Sequence, residues 1–424
     1  MIHDDAEIQR RTVLKTAAAV GAVGGLSGVA SANERGNGGG NNRPRLELVG
    51  HSLAGARDGA NTHAAVNEDL GLAALGSFIS VDPEIRIVDI SDPTDPHFTG
   101  YTETGPGGDI RNSDIHPTKP LVFTANEGPV GDDIEDSGFA IVDASDMESP
   151  ELISHNTVDG AASGTHNVQA YTHGDDDFLI TCGHGRGFVV FDINDPEEPV
   201  EVYDFQQGGH MVHAAHVQGD YAYLAHWGAG MWLLELGDMS DPEVVASFDY
   251  RERQDDADVP LRACHHTVPH PSNPELVLLG EEIGTGEPGY KHMVEVDYDS
   301  GETELLSSFQ FPQNANQTSS TAFWWTGHFS DWGVGDQEDV VFSGDYKAGV
   351  QTFDVSDPEN PRRIDQYMPT EGVDEVRRQD PVRSDLLDHV PFTWGAESQL
   401  AGDSGYVYAG DATTGLYILE LVNY

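Results

Sequence analysis

Positive charge is what this sequence has least of. Among 424 residues there are 21 lysines and arginines, and four of these are lysine: Lys15, Lys119, Lys291 and Lys347. Asp and Glu number 73, so the formal net charge is −52. A surface this acidic repels phosphate backbones, which excludes nucleic acid as a partner and disfavours anionic membrane surfaces. Cysteine is nearly absent, with Cys182 and Cys264 the two present. A disulfide-stapled fold is therefore excluded. No apolar run reaches the ~20 residues of a membrane-spanning helix. GxSxG, HExxH, paired CxxC, a Walker loop and a dinucleotide fingerprint are all missing.

What is present has to live with that charge. Self-repulsion of this size loosens a compact fold in dilute salt. Molar salt shortens the screening length to about 3 Å. The balance reads as adaptation to a very salty medium, of haloarchaeal type. Disorder is the other outcome of so much charge. Here 38% of residues are hydrophobic, and they recur in ordered patterns.

The start of the chain reads as an address. Arg10-Arg11 precedes a Gly- and Ala-rich apolar run, and Ala30-Ser31-Ala32 offers a small-residue cleavage site. These features make residues 1–32 a twin-arginine export signal and place the mature protein outside the cell or at its surface. Residues 33–42 (NERGNGGGNN) read as a flexible linker.

The remainder, 43–424, is a repeat. IRIVDISDPTDP starts at Ile85, FAIVDASDMESP at Phe139 and FVVFDINDPEEP at Phe188. MWLLELGDMSDP follows from Met231 and VQTFDVSDPENP from Val350. MVEVDYDSGE from Met293 is a degenerate copy, and LYILELVNY from Leu416 is cut short by the C-terminus. The acid falls at Asp89, Asp143, Asp192, Glu235, Asp297, Asp354 and Glu420. Each copy is a strand, an Asp-Pro turn and a second strand, with a further strand pair before it. Four strands per repeat, repeated radially, predict an all-β, seven-bladed β-propeller in one domain. The last copy lacks an outer strand, and residues 44–50 (PRLELVG) match it. That segment is expected to pair with 416–421 and close the ring, removing its exposed edges.

The IRIVDISDP, FAIVDASD and FVVFDINDP segments resemble the LVIVD-repeat family of secreted β-propellers. The resemblance runs from about residue 43 to the end and implies the fold. It carries over no catalytic residue.

With strands lettered A to D from the axis outward, the D–A connections and B–C loops share one face. The long connections fall there: 127–138, 251–263, 281–291, 311–325 and 369–393. Long loops on a rigid scaffold are where function concentrates. The 19 histidines point to the same face. His63, His166, His213, His216, His265, His266 and His328 lie at or near predicted A-strand starts. His184 and His226 sit at B–C loops, and Glu127, Glu281, Glu282 and Asp345 hold comparable places. Cys182 and Cys264 fall in the same zone, in blades 3 and 5; a bridge is not expected with blade 4 between them.

Imidazoles beside carboxylates or a thiolate suit zinc or copper. The expected ligand set is His166, His213, His216, His265 and His266, with His184, His226 and Glu281 beside them. Copper is the alternative if Cys264 points inward. The same histidines could instead bond backbone groups and water. His116 and His270, in matching A–B turns, read as structural. Trp227, Phe323, Trp324, Trp325 and Trp394 could hold a ligand or fill gaps between blades. The acidic loops at 132–136 and 297–301 lack EF-hand spacing, and Asn316 heads a lone glycosylation acceptor.

Three functions remain open from sequence. One is a monomeric binding module that holds a metal ion or small ligand, or docks a protein, on the loop face. Another is a metal-dependent enzyme at the same mouth. Cys264-His265-His266 resembles, over a very short stretch, the His-rich propellers of the selenium-binding/methanethiol-oxidase family, which implies copper. The third is a metal-free surface scaffold.

Overall fold

The computed structural model describes residues 43–424, except 56–58, 81, 106–107, 129–136, 162, 206–210, 238, 240, 256, 285–287, 312–324 and 380–389. The export signal, the linker, the acidic loop at 132–136, Asn316, Phe323 and Trp324 lie outside these residues. The described strands form seven four-stranded antiparallel sheets, the blades of a β-propeller. The A strands, in blade order, are Ala60–Asn67, Asp109–Ile115, Asn167–His173, Val212–Gln218, Cys264–Pro269, Ser330–Trp332 and Thr393–Glu397. The seventh sheet takes its outer strand from the other end of the chain. Arg45–Ser52 runs antiparallel to Gly415–Val422, with Leu46 opposite Leu421 and Leu48 opposite Leu419. Among the described residues no helix is long and apolar enough to cross a membrane.

The recurrent motif explains itself locally. In Glu84–Asp89 the residues Ile85, Ile87 and Val88 are all buried, because both faces of a blade pack on neighbours. The motif acid then makes the turn. Asp89 Oδ1 accepts the Ser91 N–H at 2.8 Å, and Asp143, Asp192 and Asp354 do the same for Ser145, Asn194 and Ser356. An Asp that bonds the backbone two residues on sets up the reversal into strand D.

There is no single core. Seven apolar clusters fill the seven junctions between adjacent blades. One joins blade 7 to blade 1, through Tyr408, Leu416 and Ile418 against Ala64 and Leu75. Both cysteines are free and buried in these clusters.

The A strands have a problem of their own. Each is an inner edge, so half of its N–H groups lack a ladder partner. Side chains of the preceding blade supply acceptors. Asp114 Oδ2 takes Ala170 N–H at 2.7 Å, Gln169 Oε1 takes Val217 N–H at 2.8 Å, and Asp331 Oδ2 takes Ser398 N–H at 2.8 Å. His266 Nε2 takes Ser330 N–H at 3.1 Å. Polar residues on inner strands thus staple blade to blade.

Candidate metal centre at the channel mouth

A small backbone irregularity builds the site. In blades 2, 4, 5 and 7 the pairing of strand A with strand B slips by one residue near the start of A. The skipped residues are Arg111, His213, His265 and Trp394. A bulge frees its extra residue from the pleat and re-aims the side chain. His166 immediately precedes strand A of blade 3, and His328 lies two residues before strand A of blade 6.

These side chains meet across blade boundaries. His166 lies on His213 with ring centroids 4.3 Å apart, His213 on His265 at 4.0 Å, and His265 on His328 at 4.2 Å. Four blades therefore contribute one continuous arc of imidazoles. Trp227 covers His213 at 4.9 Å, and Tyr346 stacks on His328 at 4.7 Å.

Carboxylates complete two groups whose donor atoms all lie within 4.8 Å of one another: Glu127, His166 and His184, and His213, His265 and Glu282. In the first, His166 Nδ1–H donates to Glu127 Oε2 at 3.0 Å, and His184 Nε2 stands 3.7 Å from Oε1. Arg111 Nε approaches Oε2 at 3.0 Å, and Ser163 Oγ–H donates to Oε1 at 3.2 Å. Burial pushes the Glu127 carboxyl up, but His166 and Arg111 overcome it and hold it at about 2. It is an anion throughout the neutral range. Burial lowers His184, with Glu127 opposing.

The second group is more enclosed. His213 Nδ1–H donates to the His265 carbonyl at 2.9 Å, which leaves the Nε2 lone pair of His213 as its acceptor. Similarly, His328 Nδ1–H donates to the Trp394 carbonyl. Ligating histidines commonly hold their second ring N–H on a carbonyl or carboxylate in this way. His266 spends Nε2 on Ser330 N–H, so its proton sits on Nδ1, 3.4 Å from His265 Nδ1. That places the His265 proton on Nε2. This nitrogen is buried without a hydrogen-bond partner and faces Glu282 Oε2 at 3.8 Å. Glu282 Oε1 accepts the Tyr346 hydroxyl at 2.8 Å. Burial raises Glu282, with Tyr346 opposing. Burial and neighbouring imidazoles hold His213, His265 and His328 well below the usual histidine range, so all three are neutral at pH 7.

Of the expected ligands, His166, His184, His213 and His265 come together. Four do not join them. His216 and His266 lie deeper in the channel, lining an open cavity with His63, Asp114, Asp331 and Glu397. His226 turns into the blade interface beside Phe205 and Trp232. Glu281 packs on His292 Nε2 at 3.2 Å and accepts Arg262 N–H and Tyr290 N–H. The physical reason is alternation: successive residues at a strand end face opposite ways. Glu281 ends its strand facing the blade interior, and Glu282 faces the mouth. Cys264 likewise packs with Tyr250 and Leu279 while His265 turns to the mouth, so the thiol is not a ligand there. Asp345 is held by Lys291 Nζ at 3.0 Å.

Arg111 and Tyr346 were not anticipated. Arg111 had a signal, since it lies near the start of an A strand, where other blades place His. His116 and His270 do sit in A–B turns. Each accepts two turn N–H groups on Nδ1, at 3.1 Å for His116 and 3.2 Å for His270.

Known proteins place the fold and little more. The LVIVD repeat family model matches residues 77–104 and 211–249, in blades 1 and 4. No curated protein sequence matches the chain significantly. The β-propeller domain of Cps50 (Swd1) from Myceliophteria thermophila is 12% identical, with a TM-score of 0.56 over 86% of this chain and 98% of that one. The periplasmic gluconolactonase PpgL of Pseudomonas aeruginosa is 12% identical, with a TM-score of 0.55 over 76% and 95%. A functionally unknown protein from Desulfotomaculum acetoxidans is 12% identical, with a TM-score of 0.50 over 72% and 85%. At such identity the likeness is one of fold.

Proposed function

We propose that this LVIVD-repeat propeller is an exported binding module that holds a divalent transition-metal ion, zinc before copper, at the mouth of its channel. The observation that carries the reading is the Glu127–His166–His184 group, with three donors within 4.8 Å and a carboxylate held ionised. Two imidazoles and one carboxylate are a recurrent zinc set, and they leave a fourth position for water or a ligand. The buried thiols leave only nitrogen and oxygen donors, which disfavours monovalent copper. Export rests on the twin arginine and the Ala30-Ser31-Ala32 site. A salty working medium rests on the net charge of −52.

The test is metal retention. Protein purified in molar salt without chelator is loaded with zinc, dialysed and analysed for metal. The expected result is at least one zinc per chain, with the ion at Glu127 lost in the double variant His166→Ala/His184→Ala, which should hold one ion fewer than wild type. Both residues border solvent, so the fold should survive, as circular dichroism would verify. Metal-free wild-type protein would leave a metal-free interaction scaffold as the better account.

A further inference from the structure

The second group, His213, His265 and Glu282, is not an isolated accident of packing. Its imidazole His213 lies against His166 of the first group, ring to ring at 4.3 Å. Its members come from blades 4 and 5, and those of the first from blades 2 and 3. The group also contains an independent sign of an absent partner. His265 is fully buried, yet its Nε2 has no hydrogen-bond partner. A buried donor left unmade costs about 1–3 kcal/mol. The 3.8 Å gap to Glu282 is too long to satisfy it. A divalent ion between the two would require the single His265 proton to shift from Nε2 to Nδ1, giving up the 3.4 Å contact with His266 Nδ1; the freed Nε2 lone pair and Glu282 Oε2 would then both be ligands.

Arg111 adds the next step. It is a guanidinium in a chain with few cations, placed beside a carboxylate that would ligate a metal. Its only ion pairs among the described residues are with Glu127 and, at 3.6 Å, Asp109. Two divalent ions and Arg111 would bring five positive charges. Asp109, Glu127 and Glu282 bring three negative ones. Two positive charges then remain in excess at a mouth on an otherwise strongly anionic protein. An anion is what such a site attracts.

Resting on the single-metal reading above, we infer that the mouth is a dinuclear centre that captures a small oxyanion. One ion sits on Glu127, His166 and His184, and a second on His213, His265 and Glu282. The oxyanion binds between the two ions beside Arg111, whose planar fork suits phosphate or sulfate oxygens. Trp227 and Tyr346 pack on the imidazole arc through His213 and His328.

The experiment uses the full mature protein in molar sodium chloride. Zinc is counted after loading and desalting, and inorganic phosphate is then titrated calorimetrically into loaded and chelator-treated samples. The expected result is two zinc ions per chain, with phosphate bound only by the loaded form. His184→Ala and Glu282→Gln should each retain one ion. Glu282→Gln preserves the shape of a half-buried side chain, so it guards against loss of fold in a truncation at His265. Arg111→Gln should keep both ions and weaken phosphate at least tenfold. One ion per chain, unaffected by Glu282→Gln, would overturn the dinuclear centre and leave the single-metal reading standing. Two ions without phosphate binding would overturn the oxyanion assignment. No retained zinc would overturn both.

Discussion

His216 offers a quantitative handle on the channel below the mouth. It sits in strand A of blade 4, 4% exposed, edge-on to Tyr223 at 6.5 Å. Burial lowers it from 6.5 to about 4. The folded state therefore binds fewer protons than the unfolded chain between those two values. Stability from this group is present above about pH 6.5 and is lost as pH falls towards 4. One pH unit of displacement corresponds to 1.36 kcal/mol, so the loss over that window is about 3 kcal/mol. His216→Gln removes the titration and keeps a polar side chain. The other channel groups, His63, Asp114 and Glu397 among them, titrate in both proteins and cancel in the difference. Urea unfolding at constant molar salt, run from pH 7 to pH 4, reads the effect. The variant should gain about 3 kcal/mol relative to wild type as pH drops. A difference that stays flat across the window would refute the claim that this imidazole is buried neutral.

Two further outcomes test the frame. Deleting residues 43–52 removes Leu46 from the cluster it shares with Leu419 and Leu421 and bares the edge of Gly415–Val422. Burial of Leu46 alone is worth about 1.5–3 kcal/mol, so the thermal midpoint in molar salt should fall, and an unchanged midpoint would show that the strand does not complete the last blade. Lowering salt from molar to about 0.01 M lengthens screening from about 3 to about 30 Å. With a net charge of −52 the unfolding midpoint should drop steeply, and insensitivity to salt would argue against a halophilic design.

The blades were legible because the motif serves one purpose seven times. Asp-Pro turns and doubly buried strands leave a period that composition cannot hide. The site was legible to within a face but not to within a residue. Sequence located the A-strand starts and the B–C loops. It could not say which of Glu281 and Glu282, or of Cys264 and His265, turns to the axis, because a one-residue phase decides it. The bulges that free His213, His265 and Arg111 have no sequence signature of their own. His216 and His266 were grouped with the mouth by position along the chain. They belong to deeper layers of the channel, and His266 uses Nε2 to staple blade 5 to blade 6. Stapling and ligation are not alternatives for every histidine. His213 bonds the next blade with Nδ1 and keeps Nε2 available.

The most direct test of metal binding is a zinc titration by calorimetry at pH 7.5 in molar salt, on wild type and on Glu127→Gln. Glu127 is the anionic member of the accessible group, and the amide keeps its shape while removing the charge that His166 and Arg111 hold in place. Saturable binding by wild type, weakened at least tenfold in the variant, is the predicted result. Equal titration curves for the two proteins, or no binding by either, would contradict a metal centre at this mouth.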